Sequence, residues 1–173
     1  MTTTTDLVTD VTSYLVTMLQ AEAVPGGQLA SVTVFDGPQP SAAATSLEQV
    51  LWVGHNPMEP TQEFGEAQQN VPFLGDHGRT QDEHGFVQMA AKHWTGDTTM
   101  SVHRAGAKAI VAAVEVLLRG DATSGGPGDY SLGGLVFWAL ATGPYTWWQQ
   151  LIDDGAEAYC GFRITYYGRL VTA

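Results

Sequence analysis

Leu7, Val8, Val11, Tyr14, Leu15, Met18 and Leu19 recur at the three- and four-residue spacing of one helix face. Asp6 and Asp10 lie near the electropositive end of that helix, and Pro25-Gly26-Gly27 stops it. SVTVFDGP then has the form of a short strand closed by a turn, and SLEQVLWVGHNP that of a second strand stopped at His55 to Pro57. Phe86 to Trp94, FVQMAAKHW, predicts a third strand, closed by Thr95-Gly96-Asp97.

Between these strands, Gly54 to Gly85 is polar and punctuated by Pro and Gly, longer than a compact domain usually leaves without regular structure. Two readings stand. The stretch is a surface loop, or it is an arm ordered against a neighbour, with Phe64, Phe73 and Leu74 as anchors.

Val102 to Arg119 predicts a second helix, on which Arg104, Lys108, Glu115 and Arg119 share a sector about 60 degrees wide. The rest of its surface is Ala, Val, Ile, Leu and Gly, so most of the helix is expected to be buried, inside one domain or partly beneath a partner. Gly120 to Asp129 ends it, and LGGLVFWALATGPY leads into YTWWQQLIDDGAEAYCGFRITYYG.

That closing stretch predicts a β-hairpin. Asp154-Gly155 as a two-residue primed turn pairs Asp153 with Ala156, Gln149 with Cys160, Trp148 with Gly161 and Trp147 with Phe162. Alternation then gives a core face of Tyr145, Trp147, Leu151, Ala158, Cys160, Phe162 and Ile164. The opposite face carries Trp148, Gln150, Glu157, Tyr159, Arg163 and Tyr167, residue types enriched in protein interfaces, with Trp148 lying across Gly161. A three-residue turn through Asp153 would slip the pairing by one and exchange the two tryptophans.

The 173 residues have the length of one domain, 1–173, with a frayed threonine run at Thr2 to Thr5, and are long enough to bury roughly 70% of the unfolded surface. Seven Lys+Arg against 18 Asp+Glu leave a charge of −11, no footprint for stable nucleic-acid binding. The single Cys160 allows no internal disulfide and is consistent with a reducing compartment. Neither a basic and apolar leader nor an apolar run of about 18 residues is present, so neither secretion nor a membrane span is expected.

Candidate chemistry changes little. His77, His84 and His93 invite a metal-dependent enzyme as a minor alternative, but their separations of seven and nine residues place no two on one helical turn, and no HExxH or CxxC is present. There is no G-x-S-x-G, the Gly125 to Gly128 turn lacks the Lys-Ser/Thr of a phosphate loop, and Asp82-Glu83 and Asp153-Asp154 fit a loop face and a turn better than acid/base pairs. No catalytic, cofactor or metal residue is assigned.

VLWVGHNP, FLGDHGRTQDEHGFVQMAAKHWTGDTTM, HRAGAKAIVAAVEVLLRG, SLGGLVFWALATG and DGAEAYCGFRITYYGRL, in this order from about Leu47 to Leu170, resemble the tail terminator proteins of long-tailed bacteriophages, in the form found in phages of actinobacteria. Trp94-Thr95-Gly96-Asp97 followed by Arg104 is the most specific part; other neck and tail-completion proteins share a similar order. The resemblance implies a single-domain α+β fold, one mixed or antiparallel sheet with an N-terminal helix and a second buried helix packed on it. It implies a non-enzymatic virion protein that forms a ring, usually a hexamer, at the tail-head junction after assembly in the host cytoplasm. Such a ring binds the major tail tube protein, stops its polymerisation, and offers its other side to a head-completion or stopper protein, while DNA passes through the lumen without specific binding. Subunit or partner contacts are expected at Trp148, Gln150, Tyr159, Arg163, Tyr167, Arg104, Phe64, Phe73 and Leu74.

Overall fold

A computed structural model describes residues 6–39, 47–60, 64–70, 80–120 and 128–171. The elements are α1 (Val8–Glu22), β1 (Thr33–Asp36), β2 (Gln49–Val53), β3 (Gly65–Asn70), β4 (Thr80–Thr95), α2 (Met100–Arg119), β5 (Trp138–Ile152) and β6 (Gly155–Val171). The fold is α+β, with one six-stranded sheet in the order β1-β2-β4-β6-β5 and β3 added to the free part of β4. β1 and β2 run parallel; every other pair is antiparallel. No described helix is long and apolar enough to cross a membrane.

The long pair β4 and β6 is the spine of the sheet, laddered from Thr80–Val171 to Thr95–Ala156. Alternation along it separates two faces. Val87, Met89 and Ala91 of β4 and Cys160, Phe162, Ile164 and Tyr166 of β6 form the floor of the main core. α1 closes that core with Val8, Val11, Leu15 and Leu19, and α2 with Ala107, Ile110, Val111, Val114 and Leu118. α1 has no capping side chain of its own at Leu7. Instead the Leu7 N–H donates to Oε1 of the buried Glu83 at 2.9 Å, and Tyr166 Oη–H donates to the same oxygen at 2.7 Å. A sheet carboxylate thus satisfies one of the open amides at the helix start.

The polar stretch after β2 is not structureless. Gly54, at φ +73, turns the chain away, and residues 65–70 return as β3 against residues 82–87 of β4. Strand β4 therefore begins at Thr80, six residues before the expected start at Phe86. Phe64, one expected anchor, is an exposed residue just before β3, lying close to Gly54; Phe73 and Leu74 fall outside the described residues.

The hairpin forms, in a different register. Ile152 pairs with Gly155, Trp148 with Tyr159 and Trp147 with Cys160, so Asp153 and Asp154 are the turn and neither has a positive φ. Gly155 belongs to β6 rather than to the turn, because a Cβ there would lie 2.5 Å from the Thr95 carbonyl oxygen. Ala156 N–H also donates to the Asp97 carbonyl at 3.0 Å. Packing on β4 and a φ of +138, rather than a primed Asp154-Gly155 turn, require that glycine. Each partner moves by two residues, an even number, so the two faces keep the expected membership. Between Thr142 and Thr146 the ladder bulges around the cis Gly143-Pro144 bond.

Two burial expectations fail. Trp147 is 43% and Leu151 67% exposed, since β5 is the outermost strand among the described residues. α2 is not mostly buried either. Its polar sector lies against β5, where Arg104 Nη1–H donates to Gln149 at 2.8 Å and Glu115 accepts from Tyr145 Oη at 2.8 Å. The side left to solvent carries Val102, Ala105, Ala109 and Ala112.

Candidate interaction surfaces

The sheet face away from the helices holds most of the residues singled out in the hairpin. Val50, Trp52 and Ala90 form a small second core there, with Phe35, Leu47 and Tyr159 packed around it. Trp52 lies between Phe35, with ring centroids 6.4 Å apart, and Tyr159, at 6.3 Å and near-parallel. The Trp148 ring covers Gly161, where a Cβ would come within 3.0 Å of it, although the residue directly opposite Trp148 is Tyr159.

Lys92 and Glu157 sit in this face as a buried ion pair at 3.3 Å, and Gln150 Nε2–H donates to Glu157. Burial, followed by the nearby Glu157 carboxylate, pushes the Tyr159 hydroxyl well above its ordinary pKa. A lysine inside the apolar run FVQMAAKHW is the one sequence signal that marks this pair. Further along, the Arg163 guanidinium lies 4.1 Å from the Phe86 ring centroid and donates to Gln88 at 3.2 Å. Tyr167 stacks on His84 with centroids 4.3 Å apart and donates to Asp82 at 2.8 Å. Hydrogen bonds from Arg169 and Tyr167 hold the Asp82 carboxyl below the usual carboxylate range.

Trp148, Gln150, Tyr159, Arg163 and Tyr167 thus share one face. Trp148 and Tyr159 line one open groove with Met58 and Gln150, of about 450 Å³, whereas Arg163 and Tyr167 lie further up β6. Arg104 is on the other side of the sheet and Phe64 beside the opposite edge.

The helix side presents a second groove, of about 410 Å³, between α2 and β5. Lys108, Val111, Ala112 and Glu115 form its helix wall, and Tyr145, Trp147 and Cys160 its strand wall. Burial pushes the Cys160 thiol up to about 12, so at neutral pH it is an apolar wall rather than a nucleophile. Burial and the bond to Glu115 likewise push the Tyr145 hydroxyl up to about 12. Tyr145, Trp147 and Leu151 are exposed on the helix side of β5, where residues 145–152 pair with no further strand among the described residues, and Ile152 is exposed on the opposite face. An unpaired strand flanked by exposed apolar side chains is a surface that proteins normally cover. Sequence reasoning missed it by assigning Tyr145, Trp147 and Leu151 to the core.

The histidines do not converge. His84 projects from the helix-free face, His93 from the helix side, and His77 lies outside the described residues. His93 instead meets His103, with Nδ1 atoms 3.3 Å apart, and His103 Nε2 is 2.8 Å from the Asp97 carbonyl oxygen. Among the described residues no three His, Cys, Asp or Glu side chains are grouped as metal ligands. No protein-family model and no curated protein matches the chain.

Proposed function

We propose that this protein is a structural component of a phage tail: a ring-forming terminator that caps the tail tube, ends tail polymerisation and joins tail to head. The carrying observation is the outer edge of β5, where Tyr145, Trp147 and Leu151 stand exposed beside the groove under α2 and Ile152 is exposed on the opposite face. A chain with a net charge of −11 is otherwise well solvated, and such a surface calls for a protein neighbour. A cyclic ring supplies one at every subunit through a heterologous contact. The likeness of the segments from VLWVGHNP to FRITYYGRL supports the tail-terminator assignment, and the α+β fold suits it.

In this reading the copies contact one another through the α2 and β5 surface, including Arg104. Trp148, Gln150, Tyr159, Arg163 and Tyr167 offer a separate face to the tail tube or the head-completion protein, and Phe64 extends the contact at the far edge. The ring is a hexamer, the protein belongs to the virion, and DNA crosses the lumen unbound. Polymerising tail tube protein with and without the chain tests this: capped tubes, shorter on average and carrying the chain at one end, are expected. Unchanged tube lengths with no chain bound would overturn it.

A further inference from the structure

Charge is divided unevenly along the sequence. Residues 1–78 hold nine of the 18 carboxylates and none of the seven Lys+Arg. The fold turns this division into a spatial one. α1, β1, β2 and β3 lie toward one lateral edge of the sheet, while α2 and β5 lie toward the other. Asp36, Glu48 and Glu66 are exposed on the first side; Arg104, Lys108 and Arg119 are exposed on the second.

The two sets also match in level along the strands. Glu48 lies beside Trp94, whose N–H donates to its carbonyl; Asp36 is two pairings from Met89, through Val53; Glu66 pairs with Phe86. On the other side Arg104 bonds Gln149, which reaches His93 through Ala158. Lys108 lines the groove with Cys160, which pairs with Ala91, and Arg119 donates at 3.4 Å to the Ala141 carbonyl, level with Val87 through Ile164. The cations therefore lie at levels 93, 91 and 87 of β4 and the carboxylates at 94, 89 and 86. These offsets of one or two residues are about 3 to 7 Å along a strand, within the span of a lysine or arginine side chain. Glu115 stands within the basic row but accepts from Tyr145 at 2.8 Å, and Asp153 and Asp154 lie at the hairpin tip, beyond the Arg104 end.

Resting on the ring-forming reading above, we infer that copies join head to tail, the α2 and β5 edge of one docking on the α1, β1 and β3 edge of the next. The occupant of the groove beside Trp147 is thus a second copy of this chain, with Arg104 set against Glu48, Lys108 against Asp36 and Arg119 against Glu66. An edge with its own complement on the opposite side of the same molecule favours successive head-to-tail contacts over a closed two-fold pair.

Two charge-reversed proteins test this: R104E/K108E/R119E, acidic on both edges, and D36K/E48K/E66K, basic on both. Circular dichroism establishes that each is folded, and light scattering gives its mass. Each alone is expected to assemble about tenfold more weakly than wild type or worse, and an equimolar mixture to recover the wild-type mass. Wild-type assembly should also weaken about tenfold between roughly 0.05 and 0.5 M salt, a readout that needs no variant. Folded variants that each assemble like wild type, a mixture that fails to recover, or salt-independent wild-type assembly would refute the edge pairing while leaving the ring intact. A wild-type chain that never leaves the monomer, alone or with the tube protein, would remove the ring reading itself.

Discussion

Lys92 Nζ lies 3.3 Å from Glu157 Oε2 in the helix-free face of the sheet, with both side chains almost wholly out of solvent. Such a pair offsets its own desolvation only while both partners remain. Lys92→Met leaves the Glu157 carboxylate buried without its cation and is expected to cost about 3 to 5 kcal/mol in urea unfolding at pH 7. Lys92→Met with Glu157→Leu removes the stranded charge and should recover more than half of that loss.

Gly155 tests the observed hairpin register. Its Cα approaches the Thr95 carbonyl so closely that an added methyl must displace β4 or β6, and its φ of +138 suits glycine alone. Gly155→Ala is expected to cost about 2 kcal/mol or more in urea unfolding, whereas Asp154→Ala, at an exposed turn position without a positive φ, should cost less than about 0.5 kcal/mol. The reverse order would restore the Asp154-Gly155 turn.

Much of this architecture was legible in the sequence, and the failures share a cause. The 3.6-residue spacing of Val8, Val11, Leu15 and Leu19 located α1, and the alternation along residues 145–164 sorted both hairpin faces correctly. Face membership depends only on parity, which survived the two-residue shift in pairing. Which positions are covered depends on where neighbouring elements end. Nothing local to Trp147 or Leu151 states that β5 is the outermost strand, and nothing in VHRAGAKAIVAAVEVLLR states that its polar sector binds β5 while Ala105 and Ala109 meet solvent. β3 escaped notice because GEAQQN has no apolar alternation; it is an edge strand held by the ladder to β4.

The two adjacent tryptophans should separate stability from assembly. With nearly half of Trp147 in solvent, Trp147→Ala is expected to cost about 1 kcal/mol or less in thermal unfolding while weakening self-association about tenfold or more. Trp148→Ala uncovers Gly161 and Tyr159 and should cost about 2 kcal/mol, with the smaller effect on self-association.

The His93 imidazole is held below its ordinary pKa, first by burial and then by the neighbouring His103, with exposed Glu48 opposing both. Burial lowers His55 in the same sense. For a base with a depressed folded-state pKa, the unfolded chain binds the proton first, so its contribution to stability is complete above pH 6.5 and is lost as pH falls towards the folded value. Urea midpoints should therefore decline from pH 7.5 to pH 5.5, and His93→Gln should make that decline shallower. A midpoint that rises on acidification over this range would contradict the assignment.

The central claim, a chain built to close into a ring on a tail tube, is tested most directly by light-scattering mass with and without tail tube protein. Ring closure predicts a discrete assembly of about 110 kDa for six 18.5 kDa copies, formed by the chain alone or on tube ends that then stop growing. A single 18.5 kDa species at every concentration, unchanged by tube protein and without effect on tube length, would contradict it.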